Sequence, residues 1–379
     1  MQSAAGEVLT LLRDGGPASR AELARTIGVS AAALSKVTAD LTRLGAIREA
    51  QSSARDGLGR PPINLMLDRE AFLMIGAHIG AGLVELVITD ALLGRLAVDV
   101  FSFDRDIAIE DLVLQLCVRI EKLIADHALP RARIRGLGVG VPGGVDLDGR
   151  LNVFSAFAQW SNIPFADLLE ERLALPVFVE HNAASIALAE SRFGAGNGCD
   201  RALYVYLGSG IGAGIAHAGA RKCRSVEIGH IVVDPDGSTC TCGGTGCLET
   251  IFSRSALLDM VGAKDRSEKG LIAAAMKTEG WGQCYAVFLS SLSTAITLLE
   301  PEIVVLGGYF GSAPDAFFED LRRDLPRRLM PQQGATLGIM RTSYREQAGA
   351  MGAACAGLER FVFSDPFSTR HRRRPGETG

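Results

Sequence analysis

An α/β protein carrying a small winged helix-turn-helix domain at its N-terminus is predicted by two changes of rhythm along the 379 residues. Up to about residue 68, apolar residues recur at helical spacings of three and four between turn signals. From Phe72 they gather into short strand-like runs separated by a long helical stretch, the alternation of an α/β domain. A third observation is chemical: three of the eight cysteines, Cys240, Cys242 and Cys247, crowd together just downstream of His230.

Length and composition set the bounds. A chain of this size exceeds one simple core and divides into two or three domains. A hydrophobic content of 47% with 22% charged residues is that of an ordinary globular protein. No apolar run reads as long enough to cross a bilayer, and no charged-then-apolar-then-small signal opens the chain, so a cytoplasmic location without membrane contact is expected. Cysteines that are mostly scattered fit a reducing compartment rather than a disulfide framework. The net charge of -4 excludes a global attraction to nucleic acid, so any such binding must be local. His371 and Arg372 to Arg374 form one basic run, read as a solvated, disordered end over residues 363–379.

In chain order, Val8, Leu9, Leu11 and Leu12 lie on one side of a short amphipathic helix that Gly15-Gly16-Pro17 ends. Ser19 to Glu22 has the spacing of a capping box and opens a second helix to about Ile27. Gly28 breaks it, Ser30 caps a third helix, and Leu34, Val37, Leu41 and Leu44 form that helix's apolar stripe. Residues 45–49 then read as a strand, Arg55 to Pro62 as a basic wing, and Ile63 to Leu67 as the returning strand. This arrangement predicts a DNA-binding domain over residues 1–68, with the third helix in a major groove. Its outer residues Ala31, Ala32, Ser35, Lys36, Ala39 and Arg43 are small, polar or basic, which lets the helix approach base edges. Together with Ser30 at the cap, and with Arg55 and Arg60 on the wing facing phosphates or a minor groove, they are the candidate DNA contacts.

Beyond Phe72, strands are predicted over Leu73 to Ile79, Val84 to Thr89 and Ile134 to Val141, with a helix between Ile109 and His127. The stretch from Val226 to Thr250 reads as a metal site. Cys240, Cys242, Cys247 and His230 make a Cys3His donor set that suits tetrahedral zinc, and Gly243, Gly244 and Gly246 let so short a loop wrap an ion. Four protein ligands leave no open position for water, so the zinc is expected to be structural. Reduced buried thiols or a redox pair are the alternatives that the spacing leaves open.

Glu227-Ile228-Gly229-His230, Cys240-Thr241-Cys242-Gly243 and Gly246-Cys247-Leu248-Glu249 together resemble the signature of the ROK family of sugar kinases and sugar-responsive repressors. The N-terminal run from Ser19 to Ser30 and the Gly-Arg-Pro-Pro at 59–62 also resemble the repressor branch. The resemblance implies an actin-like ATPase (ribonuclease H-like) fold of two α/β lobes over residues 72–362, with the zinc loop at 226–250. It implies sugar contacts from Glu227, His230 and Glu249, and nucleotide turns at Gly208 to Gly214, after the strand Ala202 to Leu207, and at Val304 to Gly308. As a run of glycines after a strand, the first of these equally suits a tight hairpin.

Two departures bear on activity. Where the kinases carry Asp-x-Gly-Gly-Thr, this chain has His78-Ile79-Gly80-Ala81-Gly82, and histidine is a poor ligand for magnesium. His78 is read as a satisfied histidine at a strand end. Where they carry Glu-Asn-Asp-x-Asn, it has Glu180-His181-Asn182-Ala183-Ala184, which puts Asn182 at the base position. An amide holds a hydroxyl but accepts no proton at neutral pH, so binding without phosphoryl transfer is expected. His181 is set aside as a base because neighbours at a strand end point to opposite sides. The family's Asn before Trp160 is missing, with Asn162 or Gln159 as substitutes. The candidate ligand set is therefore Gly143, Gly144, Asn182, Glu227, His230 and Glu249. The expectation is a repressing regulator of carbohydrate-metabolism genes that binds two-fold operator DNA as a homodimer or dimer of dimers and answers to a sugar or sugar-derived effector. A sugar kinase with an added arm and a regulator controlled by protein sequestration are the alternatives.

Overall fold

The computed structural model describes residues 2–50, 63–80, 82–104, 106–155, 158–220, 223–262 and 270–368. The N-terminal module contains α1 (Ala4–Asp14), β1 (Ala18–Ser19), α2 (Arg20–Ile27), α3 (Ala31–Arg43), β2 (Ile47–Glu49) and β3 (Asn64–Leu67). Its helix starts follow the expected local chemistry. Ser19 Oγ accepts from the Glu22 amide while Glu22 accepts from the Ser19 amide at 2.8 Å, and Ser30 Oγ accepts from the Ala33 amide at 3.2 Å. Gly28 ends α2 at φ +77°. The antiparallel order β1-β3-β2 closes the module, β1 being a strand that the sequence reading did not anticipate. Leu44 leaves the apolar stripe: it caps α3 and is 37% exposed, while Thr38 is buried in its place.

The first lobe runs through β4 (Leu73–Ile79), β5 (Leu83–Thr89), β6 (Arg95–Ser102), α4 (Ile109–Asp126), β7 (Ile134–Val141), β8 (Gly144–Val145), β9 (Asn152–Ser155), β10 (Trp160–Ile163), α5 (Phe165–Leu173), β11 (Val177–His181) and α6 (Asn182–Phe193). The second contains β12 (Arg201–Leu207), β13 (Ile211–His217), β14 (Arg224–Val226), α7 (Leu248–Ile251), α8 (Arg254–Val261), α9 (Leu271–Ala275), α10 (Trp281–Leu299), β15 (Ile303–Gly308), α11 (Asp315–Asp324), α12 (Pro331–Thr336) and β16 (Gly338–Arg341). The helix α13 (Ala348–Phe361) then returns to pack on the first lobe and on α6.

The two main sheets share one topology. Their orders are β6-β5-β4-β7-β11 and β14-β13-β12-β15-β16. In each, three consecutive strands form an antiparallel meander and two further strands add in parallel beside the first. This duplicated sheet is the framework of the actin-like fold expected of the chain.

Two expectations need correction here. α10 is nineteen residues long with mean hydropathy 1.3, enough by length and composition to cross a membrane. It is instead the core helix of the second lobe, with Phe288 and Ile296 fully buried and Phe288 stacked on Phe252 at 4.4 Å. Nor are residues 363–379 a free tail throughout. Phe363 is fully buried and the Ser364 carbonyl accepts from the Ser3 amide at 3.0 Å, whereas His371 and Arg372 to Arg374 lie outside the described residues.

α13 approaches its neighbours at backbone distance. A Cβ on Gly138 of β7 would stand 1.8 Å from the Ala353 carbonyl oxygen, and one on Gly352 would stand 2.6 Å from the Ile186 amide nitrogen. Overpacking such a contact costs about 1–3 kcal/mol. Gly138→Ala is therefore expected to lower the urea midpoint. Gly282→Ala, on α10 with open space around it, is expected to leave the midpoint unchanged or raise it, because alanine is the better helix former.

Candidate functional site

The candidate pocket forms where β7 and β11 end, at the carboxyl edge of the first sheet, where ligands settle in open α/β sheets. After Val141 the chain turns through Pro142-Gly143-Gly144. Gly143 has φ +81°, and a Cβ there would stand 2.2 Å from the Phe154 carbonyl oxygen. Asn152 clamps this turn, its amide donating to the carbonyls of Pro142 at 2.9 Å and Gly144 at 3.2 Å. The turn and its clamp set the backbone on one side of the pocket.

β11 ends at His181, which becomes the N-cap of α6, and Asn182 is that helix's first residue. His181 Nδ1 and Asn182 Oδ1 are both buried without a hydrogen-bond partner among the described residues. Asn182 Oδ1 packs against β7, 2.7 Å from where a Cβ on Gly140 would be. Burial lowers the His181 pKa, opposed by the nearby Glu227 carboxylate, so the ring is neutral near pH 7. β11 stops at His181, so strand alternation does not govern the side chain of Asn182. The following residue already belongs to a helix, and both side chains carry a buried polar atom. Two buried polar atoms that lack partners are costly unless a polar ligand or water meets them.

The other lining predicted from the sequence is altered. His78 Nδ1 lies 3.0 Å from Glu85 Oε2 across the β4–β5 ladder, as a satisfied strand-end histidine would. Gln159 and Asn162 are both exposed on left-handed backbone, and Asn162 Nδ2 donates to Ser161 Oγ at 3.4 Å, so neither replaces the missing Asn in the pocket. The run Gly208 to Gly214 is not one loop. Only residues 208–210 turn, between the antiparallel β12 and β13, and Gly214 sits inside β13 where a Cβ would meet the Ala183 carbonyl oxygen at 2.5 Å.

The second lobe carries the metal loop. The donor atoms of His230, Cys240, Cys242 and Cys247 all lie within 4.8 Å of one another. Cys242 and Cys247 sulfurs are 3.8 Å apart, and Cys240 Sγ is 3.6 Å from His230 Nδ1. Bonds of about 2.0–2.3 Å to a tetrahedral ion give edges of about 3.5–3.8 Å, so the set fits one metal ion. Backbone bonds hold the donors in place: the Cys240 amide donates to Gly244 at 2.8 Å and the Leu248 amide to Ile231 at 2.9 Å. Gly246 has φ +68°, with Asp234 O only 1.5 Å from where its Cβ would be. Burial pushes the Cys240 thiol up to about 12 and raises Cys247, while the Gly244 amide draws Cys242 down. A bound divalent cation is what would hold all three as thiolates near neutral pH.

The loop also carries the acids. Glu249 Oε1 accepts from Thr241 Oγ1 at 3.0 Å and from Cys240 Sγ at 3.1 Å. Its Oε2 faces the hairpin turn, 2.4 Å from the Cβ position of Gly210. Glu249 thus lies between the metal loop and that turn, a placement that spacing did not reveal, whereas Glu227 is exposed beside the 3-10 turn that carries His230.

On the N-terminal module, Ala31, Ala32, Ser35, Lys36, Ala39 and Arg43 are all exposed on α3. Two of the polar candidates have local bonds: Ser35 Oγ donates to the Ala31 carbonyl at 2.8 Å, and Arg43 pairs with Asp40 at 2.7 Å. Ser30 is exposed and spends its hydroxyl oxygen on the cap. Arg55 and Arg60 lie outside the described residues.

The ROK family model matches residues 74–359. The chain belongs to the ROK family. Among curated ROK-type relatives, the DNA-binding transcriptional repressor Mlc of Escherichia coli K12 is 24% identical over 380 residues, covering 93% of this chain and 92% of Mlc. A glucokinase of Thermotoga maritima is 31% identical over 255 residues, covering 59% of this chain and 79% of the enzyme. The crystal structure of a ROK family transcriptional regulator, a homologue of the Escherichia coli protein, superposes with TM-score 0.80 at 23% identity, covering 95% of this chain and 96% of that one. The ROK regulators thus span the N-terminal module as well as the two lobes.

Metal retention tests the loop. Purified protein is expected to hold a single divalent ion by elemental mass spectrometry, and Cys247→Ser is expected to lose it and to melt at lower temperature. Because protons compete for the sulfurs, retention weakens as pH falls.

Proposed function

We propose that this ROK chain is a transcriptional repressor of carbohydrate-metabolism genes which binds operator DNA as a dimer and does not phosphorylate sugar. One combination carries the reading: a helix-turn-helix with a small three-stranded sheet precedes a ROK domain in which the sequence puts an amide, Asn182, where the kinases carry their base. A carboxylate there would accept the proton of an attacking hydroxyl, and an amide only holds the hydroxyl. The buried, unpartnered atoms of His181 and Asn182 support a polyhydroxylated ligand, which supplies donors and acceptors together. Gly143, Gly144, Glu227, His230 and Glu249 complete its surroundings.

In this reading the ion is zinc, bound by His230, Cys240, Cys242 and Cys247 with no open position, and its role is to hold the loop bearing Glu227 and Glu249. In the N-terminal module, α3 enters a major groove through Ala32, Ser35, Lys36, Ala39 and Arg43, with Ser30 at its start and Arg55 and Arg60 as further candidate contacts. A dimer presents two such helices to a two-fold operator, in the cytoplasm.

The kinase alternative draws on one feature, the neutral His181 ring beside the base position. A coupled ADP-release assay with glucose decides it: the repressor reading expects no turnover above background, and sustained turnover would sink it. For DNA, fluorescence anisotropy with the gene's own upstream region at fixed salt is the direct test. Lys36→Ala is expected to weaken binding roughly five- to tenfold and to reduce the salt slope by about one, the signature of one lost phosphate contact. Binding no tighter than to random DNA would count against the reading.

A further inference from the structure

Far from the pocket, α1 of the N-terminal module buries a charge in the first lobe. The Arg13 side chain is 2% exposed and its guanidinium donates to Glu359 on α13. It lies 4.3 Å from the Phe363 ring centroid and 5.7 Å from that of Phe193, the last residue of α6. The same Glu359 oxygen accepts from Arg192 Nε of α6 at 3.2 Å. Arg13 has a second carboxylate, Asp14 at 2.6 Å, but that residue belongs to α1's own end and moves with it. Around this centre the Gln2 side chain donates to the Phe363 carbonyl at 3.0 Å, and a Cβ on Gly6 would meet Ser364 O at 2.4 Å.

The two helices that receive Arg13 both begin at the pocket. α6 starts with Asn182 and ends at Phe193. α13 starts beside the same strand ends, where Gly349 lies against the His78 ring and its carbonyl oxygen is 3.7 Å from the Cβ position of Gly140. Between their ends, Gly352 meets the Ser185 and Ile186 backbone without a side chain between them. Such a pair has little slack, so a shift at one end is carried to the other over the roughly 18 Å of α6. An apolar contact at the far end could slip; a buried guanidinium cannot leave its carboxylate cheaply.

We propose that Arg13 is a positioning residue through which the α6–α13 pair reports the state of the pocket to the DNA-binding module. The inference rests on the effector reading given above and adds the link that this reading lacks. A ligand that binds one arrangement of α6 more tightly displaces Arg192 and Glu359, and Arg13 carries α1, and α3 with it, to a new position.

The test uses the full-length metal-bound chain, glucose, xylose and N-acetylglucosamine as probes, and two variants. Arg13→Met keeps most of the stem that packs on the rings, and Arg13→Lys keeps the charge. Operator affinity is measured by anisotropy with and without each sugar, and sugar affinity by calorimetry with and without DNA. The expected result is a wild-type operator affinity that shifts at least fivefold with one sugar, within the usual range of coupling. In Arg13→Met the shift shrinks to below about twofold, while sugar affinity without DNA stays within about threefold of wild type. Because coupling is reciprocal, DNA should also cease to alter sugar affinity in that variant, and Arg13→Lys should restore part of both effects. An Arg13→Met protein that keeps the full wild-type shift overturns the proposal. So does one that loses sugar-free operator binding and thermal stability together, since Arg13 would then only hold the module in place. A wild type whose operator affinity ignores all three sugars sinks the effector reading itself, and this coupling with it.

Discussion

Backbone contact between α6 and α13 is the constraint on which much of this molecule depends. The helices meet where Gly352 lies on the Ser185–Ile186 backbone, and α13 meets the first sheet where Gly138 faces the Ala353 carbonyl. With no side chains in the gap, α6 and α13 have little room to slide past one another and shift as a pair. Asn182 and His181 are therefore fixed at one end of a rigid unit, and Arg192 and Glu359 at the other. Pocket and module are two ends of the same packed object.

The metal loop performs the matching task on the second lobe. A loop this rich in glycine has high conformational entropy when unrestrained. Four donors converging on one point replace the hydrophobic core that so short a polar segment cannot build. Glu249 lies between the donor cluster and the Gly208–Gly210 turn, with one oxygen on Thr241 and the other facing Gly210. The chain thus fixes its candidate site residues by different means, helix packing on the first lobe and donor convergence on the second.

Burial of polar groups has a different meaning at the two ends. Arg13, Arg192 and Glu359 are withdrawn from water and satisfy one another, as a buried ion cluster must to be tolerated. His181 and Asn182 are withdrawn and not satisfied by protein. The first arrangement is complete within the protein; the second leaves two buried polar atoms without a protein partner. Glu190, deeper in α6, belongs to the complete kind, accepting from the Ser343 amide at 2.8 Å and the Ala195 amide at 2.9 Å.

Local chemistry was legible in the sequence wherever it acts over a few residues. The capping box at Ser19 and Glu22, the break at Gly28, the strand from Leu73 to Ile79 and the donors His230, Cys240, Cys242 and Cys247 each follow from spacing, and the amide at Asn182 from residue type. What only the tertiary structure decided concerns residues brought together from distant parts of the chain. The duplicated sheet order, Thr38 taking the buried place expected of Leu44, the burial of His181 Nδ1 and the burial of α10 all depend on which surface each element meets. Arg13 reads locally as the solvated end of a short amphipathic helix, and nothing near it in sequence names Glu359 as its partner. Periodicity and propensity are set by neighbours along the chain, whereas burial of a charge is set by neighbours across the fold, and only packing determines those.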